Sequence, residues 1–538
     1  MKKYKYIAAL LISASLLGAC SEELDVKNPN QPTVGSANTE FGIVALASGA
    51  VYANGFKDLK FYDGVNGYFW TGAVGFHEIM GDVVGMEAAN VFANQIGLPD
   101  EVILDDGTKV VNPSSPKQQK TLIRQINTNA QQGSNPLYYE WAYMYSMNNG
   151  CNNILKILEG VKFATGDATK RAALQAWCYW WKGFAYSRIG SMYYAGLIID
   201  EPSKTNGNYV SKEKVLAEAE NNFAKAETIL KGLQQNADYN EIIGKLIPAF
   251  CQVGKGLVPS PEMWVRSINT FRARNLVANA TPDKVDWAKV KSLTDNGVRE
   301  NDFVFTGRSN TNGDFISPRN GSMAAKSTGN PLVGFNTYKI SERLMQDFKA
   351  GDKRKDNNFE ALPRTWIGNG DRGNSFNTRW QLLDGGKDMA GVVTLSSLAV
   401  GAYELYLAGT YEENELMKAE ALIYTGNIGG GTQLIDAIRR LQGAGLPAIT
   451  TSDRAAALEE LRSERRIGLV FRGLSFYDAR RWGVIENGRK GCVVIDGSGV
   501  VNTNSTINYN FLDYWDVPDN ELVYNPAAAG SDPVKNPK

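Results

Sequence analysis

The sequence predicts a mainly α-helical protein with long loop insertions and few short strands. Three observations carry this expectation. Val215, Leu216, Ala219, Phe223, Ala226, Ile229 and Leu230 recur at spacings of three and four, the mark of an amphipathic helix. Two further stretches, 137–159 and 172–189, hold helical periodicity and are dense in aromatics, among them Trp177, Tyr179, Trp180, Trp181, Phe184 and Tyr186. Between the periodic blocks, residues 307–330 and 368–377 are rich in Gly, Asn and Ser and read as surface loops, where function tends to sit.

Taken in order, the chain opens on a basic cluster (Lys2, Lys3, Lys5), an apolar run over 7–17, and the small pair Gly18-Ala19 before Cys20. This is a signal segment too short to span a bilayer. Its Leu-Gly-Ala-Cys end fits a lipoprotein signal, so residues 1–19 are expected to be removed and Cys20 acylated. Residues 20–36 are polar and proline-containing, suited to a flexible tether. Each buried CH₂ of an acyl chain contributes about 0.8 kcal/mol, so two or three chains anchor a protein stably. Residues 37–320 form an N-terminal helical region and 321–538 a C-terminal one, the two making one compact unit. The strand-like 101–104, followed by Asp105-Asp106-Gly107, predicts a small hairpin. Near the C-terminus, Leu416, Ala419 and Ile423 mark one helix. A glycine-rich turn over 426–431 follows, and Leu434, Ile435, Ile438 and Leu441 mark the next. Small residues at their crossing suggest a tetratricopeptide-like pair. Residues 458–471 and 475–481 extend the helical run.

Composition narrows the function. Hydrophobic content of 43% supports a sizeable core, and the whole chain is formally neutral. Loss of the three presequence lysines leaves the mature chain about three charges negative, which argues against nucleic acid as a partner. Cys151, Cys178, Cys251 and Cys492 are far apart without zinc-type spacing and read as buried thiols. His77 is the one histidine, which removes Ser-His-Asp, Cys-His and multi-histidine metal sites. Ser211-Lys212-Glu213-Lys214 lacks the companions of an S-x-x-K enzyme. Gly429-Gly430-Gly431 is not followed by G-K-[ST]. Asn310-Thr311-Asn312-Gly313-Asp314 lacks the closing glutamate of a calcium loop. No cofactor or metal is implied.

Three C-terminal signatures stand together. The first is Glu413-Asn414-Glu415-Leu416-Met417-Lys418-Ala419-Glu420-Ala421. The second runs from Arg462-Ser463-Glu464-Arg465-Arg466 through Phe471-Arg472-Gly473 to Tyr477-Asp478-Ala479-Arg480-Arg481-Trp482-Gly483. The third is Val517-Pro518-Asp519-Asn520-Glu521 with Asn525-Pro526 near the chain end, and Cys151-Asn152-Asn153-Ile154 adds a fourth motif upstream. As a set they resemble the SusD/RagB family. Gly468 and Arg472 stand where the family usually has acids. The central 242–280 lacks its Ala-rich helix and carries Pro248, Pro259 and Pro261. The block's charges are too many to bury unpaired, so Glu413, Glu420, Glu464, Arg465, Arg466, Asp478 and Arg481 are expected to pair as scaffold, with Trp482 against an arginine plane.

The resemblance implies a SusD-like helical fold on a surface-facing, lipid-anchored outer-membrane protein. It implies a non-enzymatic role, capturing glycans and handing them by hinge motion to a SusC-like TonB-dependent transporter. Sugars present hydroxyl edges and apolar C–H faces, so aromatic platforms beside polar groups are the binding candidates. These are Trp70 with His77 and Asp82, Tyr338, Trp366 near Arg364, and Trp380 near Arg379 and Gln381. An oligopeptide-binding lid, a surface glycosidase and a purely structural adaptor are the alternatives.

Overall fold

The computed structural model describes residues 37–56, 72–86, 92–130, 135–202, 204–308, 327–333, 338–368, 377–389 and 404–538. Residues 1–36, which hold the expected signal, the expected tether and Cys20, lie outside the described residues, as do Trp70 and most of the 307–330 and 368–377 stretches. Eleven of the seventeen helices among the described residues frame the fold: α1 Glu40–Phe56, α2 Gly72–Met80, α3 Pro136–Leu158, α4 Asp167–Met192, α5 Lys212–Gly232, α6 Pro261–Ala278, α7 Trp287–Asp295, α8 Tyr411–Tyr424, α9 Ile428–Leu441, α10 Arg454–Gly468 and α11 Ser475–Arg481. The fold is mainly α, as the periodicity predicts.

Local chemistry explains where these helices start. Asn135 accepts the Leu137 amide at 3.1 Å, with Pro136 in the first turn of α3. Asp453 caps α10 through the Ala456 amide at 2.7 Å, and Asn427 caps α9 through Gly430 at 2.9 Å. The prolines of the central segment do not prevent a helix there. Ser260 caps α6 and Pro261 takes its first position, where a missing N–H costs nothing, while Pro248 and Pro259 lie outside helices. At the other end of the C-terminal run, α10 stops at Gly468, short of the predicted 471, because Phe471 adopts a left-handed φ of 61°.

Helix α4 is the axis of the core. Trp177, Trp180 and Trp181 are fully buried and meet Phe305, Phe271 and Phe184 mostly edge-on, with centroids 4.5–6.1 Å apart within this group and Trp180 stacked on Phe184. Gly183 lets α5 come close: a Cβ there would lie 2.6 Å from the Phe223 ring. The α8–α9 pair packs in the same way around Gly431, where a Cβ would fall 2.5 Å from Ile423. Ile423, Ile435 and Ile438 close a second apolar cluster with Leu461 of α10.

Strands are short: β1 Val84–Met86, β2 Glu101–Ile103, β3 Lys109–Val111, β4 Thr306–Arg308, β5 Tyr338–Ile340, β6 Phe359–Trp366, β7 Thr378–Leu382, β8 Glu404–Tyr406, β9 Arg489–Ile495 and β10 Val501–Asn508. The predicted hairpin is β2–β3, with Gly107 at φ 87° in its turn. It is also half of a four-stranded antiparallel sheet, ordered β9-β10-β2-β3, that joins the chain's end to its beginning. The other strands form two-stranded ribbons, β1–β5, β4–β8 and β6–β7. No helix among the described residues is long and apolar enough to cross a membrane.

Candidate functional site

The signature residues converge on the junction of α8, α10 and α11. Arg481 grips Glu420 with two bonds of 2.6 and 2.7 Å and also donates to Asp478 at 2.8 Å. Arg465 donates to the other Asp478 oxygen at 2.8 Å. Glu464 receives Arg354 at 2.6 and 3.0 Å and Arg439 at 3.0 Å. Arg274 of α6 clamps Glu413 at 2.5 and 2.6 Å. Arg466 reaches the backbone oxygens of Gly81 and Asp82 at 2.7 and 3.1 Å, and pairs with Asp347. Trp482 carries the Arg481 guanidinium 4.3 Å from its ring centre. Glu413, Glu420, Glu464 and Asp478 lie buried, so each of their pairs stands because both members are present.

The sequence-predicted binding residues divide into two groups. His77 and Asp82 are interior. His77 lies 2.9 Å from Glu140 and 3.2 Å from Arg188, its ring edge-on to Tyr477, and burial with the arginine holds its pKa below the usual value. Burial pushes the Asp82 carboxyl up, but Arg343 and Arg489 overcome it and hold the group well below the usual range. Arg343 donates at 2.7 and 3.0 Å, Arg489 at 2.7 Å and the Tyr509 hydroxyl at 2.8 Å. Both side chains are held by partners from distant segments and brace α2 and the turn after it.

Tyr338, Trp366 and Trp380 lie on two neighbouring ribbons. Tyr338 is buried opposite Met86 in β1–β5. Trp366 and Trp380 stand in β6–β7, opposite Thr378 and Ala361. Arg379 ties the ribbons' flank to Glu342 at 2.7 Å, and Gln381 donates to Glu360 at 2.8 Å. Trp366 is 9% exposed with the Lys339 ammonium 4.7 Å from its ring centre. Trp380 is half-buried beneath Lys355 at 4.6 Å, and its indole N–H has no hydrogen-bond partner among the described residues. A sugar needs an open ring face, which makes Trp380 the most accessible of the three.

Among the described residues, cavities of about 580, 790 and 290 Å³ open elsewhere, and none of these three is lined by a sequence-predicted binding residue. The largest pairs an apolar floor of Val44 and Tyr52 on α1 with the Lys170–Glu40 and Lys170–Glu241 ion pairs. The smallest is lined by Asn301, Tyr406 and Tyr411, whose separation in sequence leaves no periodic signal. Cys151, Cys178, Cys251 and Cys492 are buried and form no disulfide among the described residues. Among the described residues no cluster of His, Cys, Asp and Glu could hold a metal.

Helix pairs welded by buried ion pairs, with short ribbons between them, make up this mainly helical scaffold. The model of the SusD family matches residues 413–529, the segment that holds the welded junction. The fold is shared with a surface glycan-binding protein A from Bacteroides fluxus, at 13% identity and TM-score 0.56, over 94% of this chain and 100% of that one. It is shared also with a SusD-like carbohydrate binding protein from Bacteroides vulgatus, at 14% identity and TM-score 0.55, over 92% and 98%. A SusD-like carbohydrate binding protein from Bacteroides fragilis follows at 14% and 0.53, over 84% and 97%. No curated protein matches the chain.

Proposed function

We propose that this protein captures glycans at a bacterial surface and delivers them to a SusC-like TonB-dependent outer-membrane transporter without altering them. The observation that carries the reading is the SusD-family match over the scaffold junction, on a fold shared along nearly its whole length with proteins described as carbohydrate- or glycan-binding. The chemistry agrees. Trp380 offers a half-buried ring on β7, the most accessible of the three aromatic candidates and an apolar face of the kind a sugar's C–H surface packs on. The single histidine lies buried against Glu140 and Arg188, where it serves no acid–base step. Cys20 is the proposed acylation site and residues 20–36 the tether that leaves the folded part free to move above the outer membrane.

The test is a binding screen of lipid-free protein from Ser21 onward against polysaccharides and mixed peptides, with each ligand re-examined afterwards. Capture of an intact glycan, weakened by Trp380→Ala, supports the reading. Shortened glycan selects a hydrolase, and binding of peptides alone selects an oligopeptide lid. Affinity purification from membranes tests delivery: repeated recovery without any large β-barrel would remove the transporter from the proposal.

A further inference from the structure

The loop between α7 and β4 closes the 290 Å³ cavity against the turn that starts α8. This volume lies at the lower edge of small-molecule sites, which span roughly 300–1,000 Å³. Two tyrosines line it, both half-buried. Tyr406 is backed by the Arg472 guanidinium, 5.0 Å from its ring centre. Tyr411 is packed into the helical core, and its hydroxyl makes no hydrogen bond among the described residues.

The polar lining is of two kinds. Asp302 and Glu412 are fixed. Arg266 holds Asp302 with two bonds of 2.6 Å, and the Arg299 amide adds one of 2.9 Å. Arg472 reaches Glu412 at only 3.3 and 3.4 Å, which leaves that carboxylate with accepting capacity. Asn301 and the Glu300 carboxylate are exposed and have no internal partner among the described residues. A carboxylate oriented by an arginine can accept from two adjacent hydroxyls, a free amide can give and accept, and tyrosine rings cover C–H faces. Three acids offset by Lys255 and Arg299 disfavour a strongly charged ligand.

Resting on the glycan-capture reading, we propose that this cavity is a second saccharide subsite, which takes one neutral pyranose ring of a glycan. It shares no lining residue with the Trp366–Trp380 ribbon. Asn301, Glu412 and the Tyr411 hydroxyl bond the sugar's hydroxyls, and the rings of Tyr406 and Tyr411 cover its C–H face.

The experiment is hydroxyl-radical footprinting and titration calorimetry on the purified chain with neutral hexose and pentose oligosaccharides, their uronate counterparts, and mixed oligopeptides. Protection of Tyr406 and Tyr411 by a neutral oligosaccharide is expected. Asn301→Ala and Tyr411→Phe should each weaken that ligand by about 2- to 10-fold, the loss of one hydrogen bond, with unchanged thermal melts. Oligosaccharide binding that Trp380→Ala weakens, while Asn301→Ala and Tyr411→Phe leave it unchanged and both tyrosines stay unprotected, overturns the subsite but leaves the glycan reading intact. Protection by uronates or peptides and not by neutral sugars overturns its assigned chemistry. Absence of any sugar binding by the wild type removes both readings together.

Discussion

The junction of α8, α10 and α11 and the cavity beside the α7–β4 loop use the same residue types to opposite ends. At the junction, Glu420, Glu464 and Asp478 each face arginines at hydrogen-bond distance and are buried. Their bonding capacity is directed inward, to hold three helices in one arrangement. At the cavity, Asn301 and Glu300 are exposed, and Glu412 meets its arginine only at long distance. There the capacity faces outward. The difference teaches that a strong sequence signature can mark what keeps the fold together, while uncommitted bonding capacity sits where internal pairing is incomplete.

The comparison breaks most sharply at Arg481. Arg481→Ala leaves Glu420 and Asp478 short of a buried partner and should cost about 3–5 kcal/mol, read as a lower denaturation midpoint. A loss below 1 kcal/mol would mean that the junction relaxes and does not weld. A slightly smaller effect comes from pH. Burial pushes the Glu78 carboxyl up to about 7, against which the Gly473 amide works only partly. The folded state therefore holds this proton more tightly than the unfolded chain. The group's contribution is most favourable below pH 4.5 and declines as pH rises to about 7, by roughly 2–4 kcal/mol in all. Glu78→Gln should flatten that part of the stability–pH curve; an unchanged curve would show that Glu78 is charged throughout.

Gly431→Ala drives a methyl into Ile423 and the Ala419 carbonyl and should cost about 1–3 kcal/mol. On the outward-facing side, Trp380→Ala should weaken glycan affinity roughly tenfold with little change in melting temperature. Trp366→Ala, at a more buried ring, should lower both. Reversal of that order would place the platform on Trp366. The smallest effect belongs to Lys156→Ala, whose exposed pair with Glu159 is worth under about 0.5 kcal/mol.

The helices were legible because burial of one face imposes a period on consecutive residues, and the 215–230 pattern lies within α5. The β2–β3 hairpin was legible from its turn, but its pairing with β10 was not, since no local pattern encodes a partner so distant. The same blindness covers His77 and Asp82. Polar residues near aromatics suggested sugar contacts, yet their partners Glu140, Arg343 and Arg489 come from elsewhere in the chain. Asn301 and Tyr411 escaped notice for the same reason: only the fold brings a polar loop against the first turn of α8.

The closure of β10 onto β2 also sets a schedule for folding. Asn508 donates to Glu101 across 407 residues, so the hairpin's outer edge stays unpaired until nearly the entire chain exists. At roughly 5–20 residues per second of synthesis, that wait is on the order of 20–80 s. Through that interval the edge strand is open to pairing with other chains, and the native sheet cannot form early. A nascent chain of this design thus remains incompletely folded until its last segment arrives, and any product cut short before β10 carries a permanently exposed edge.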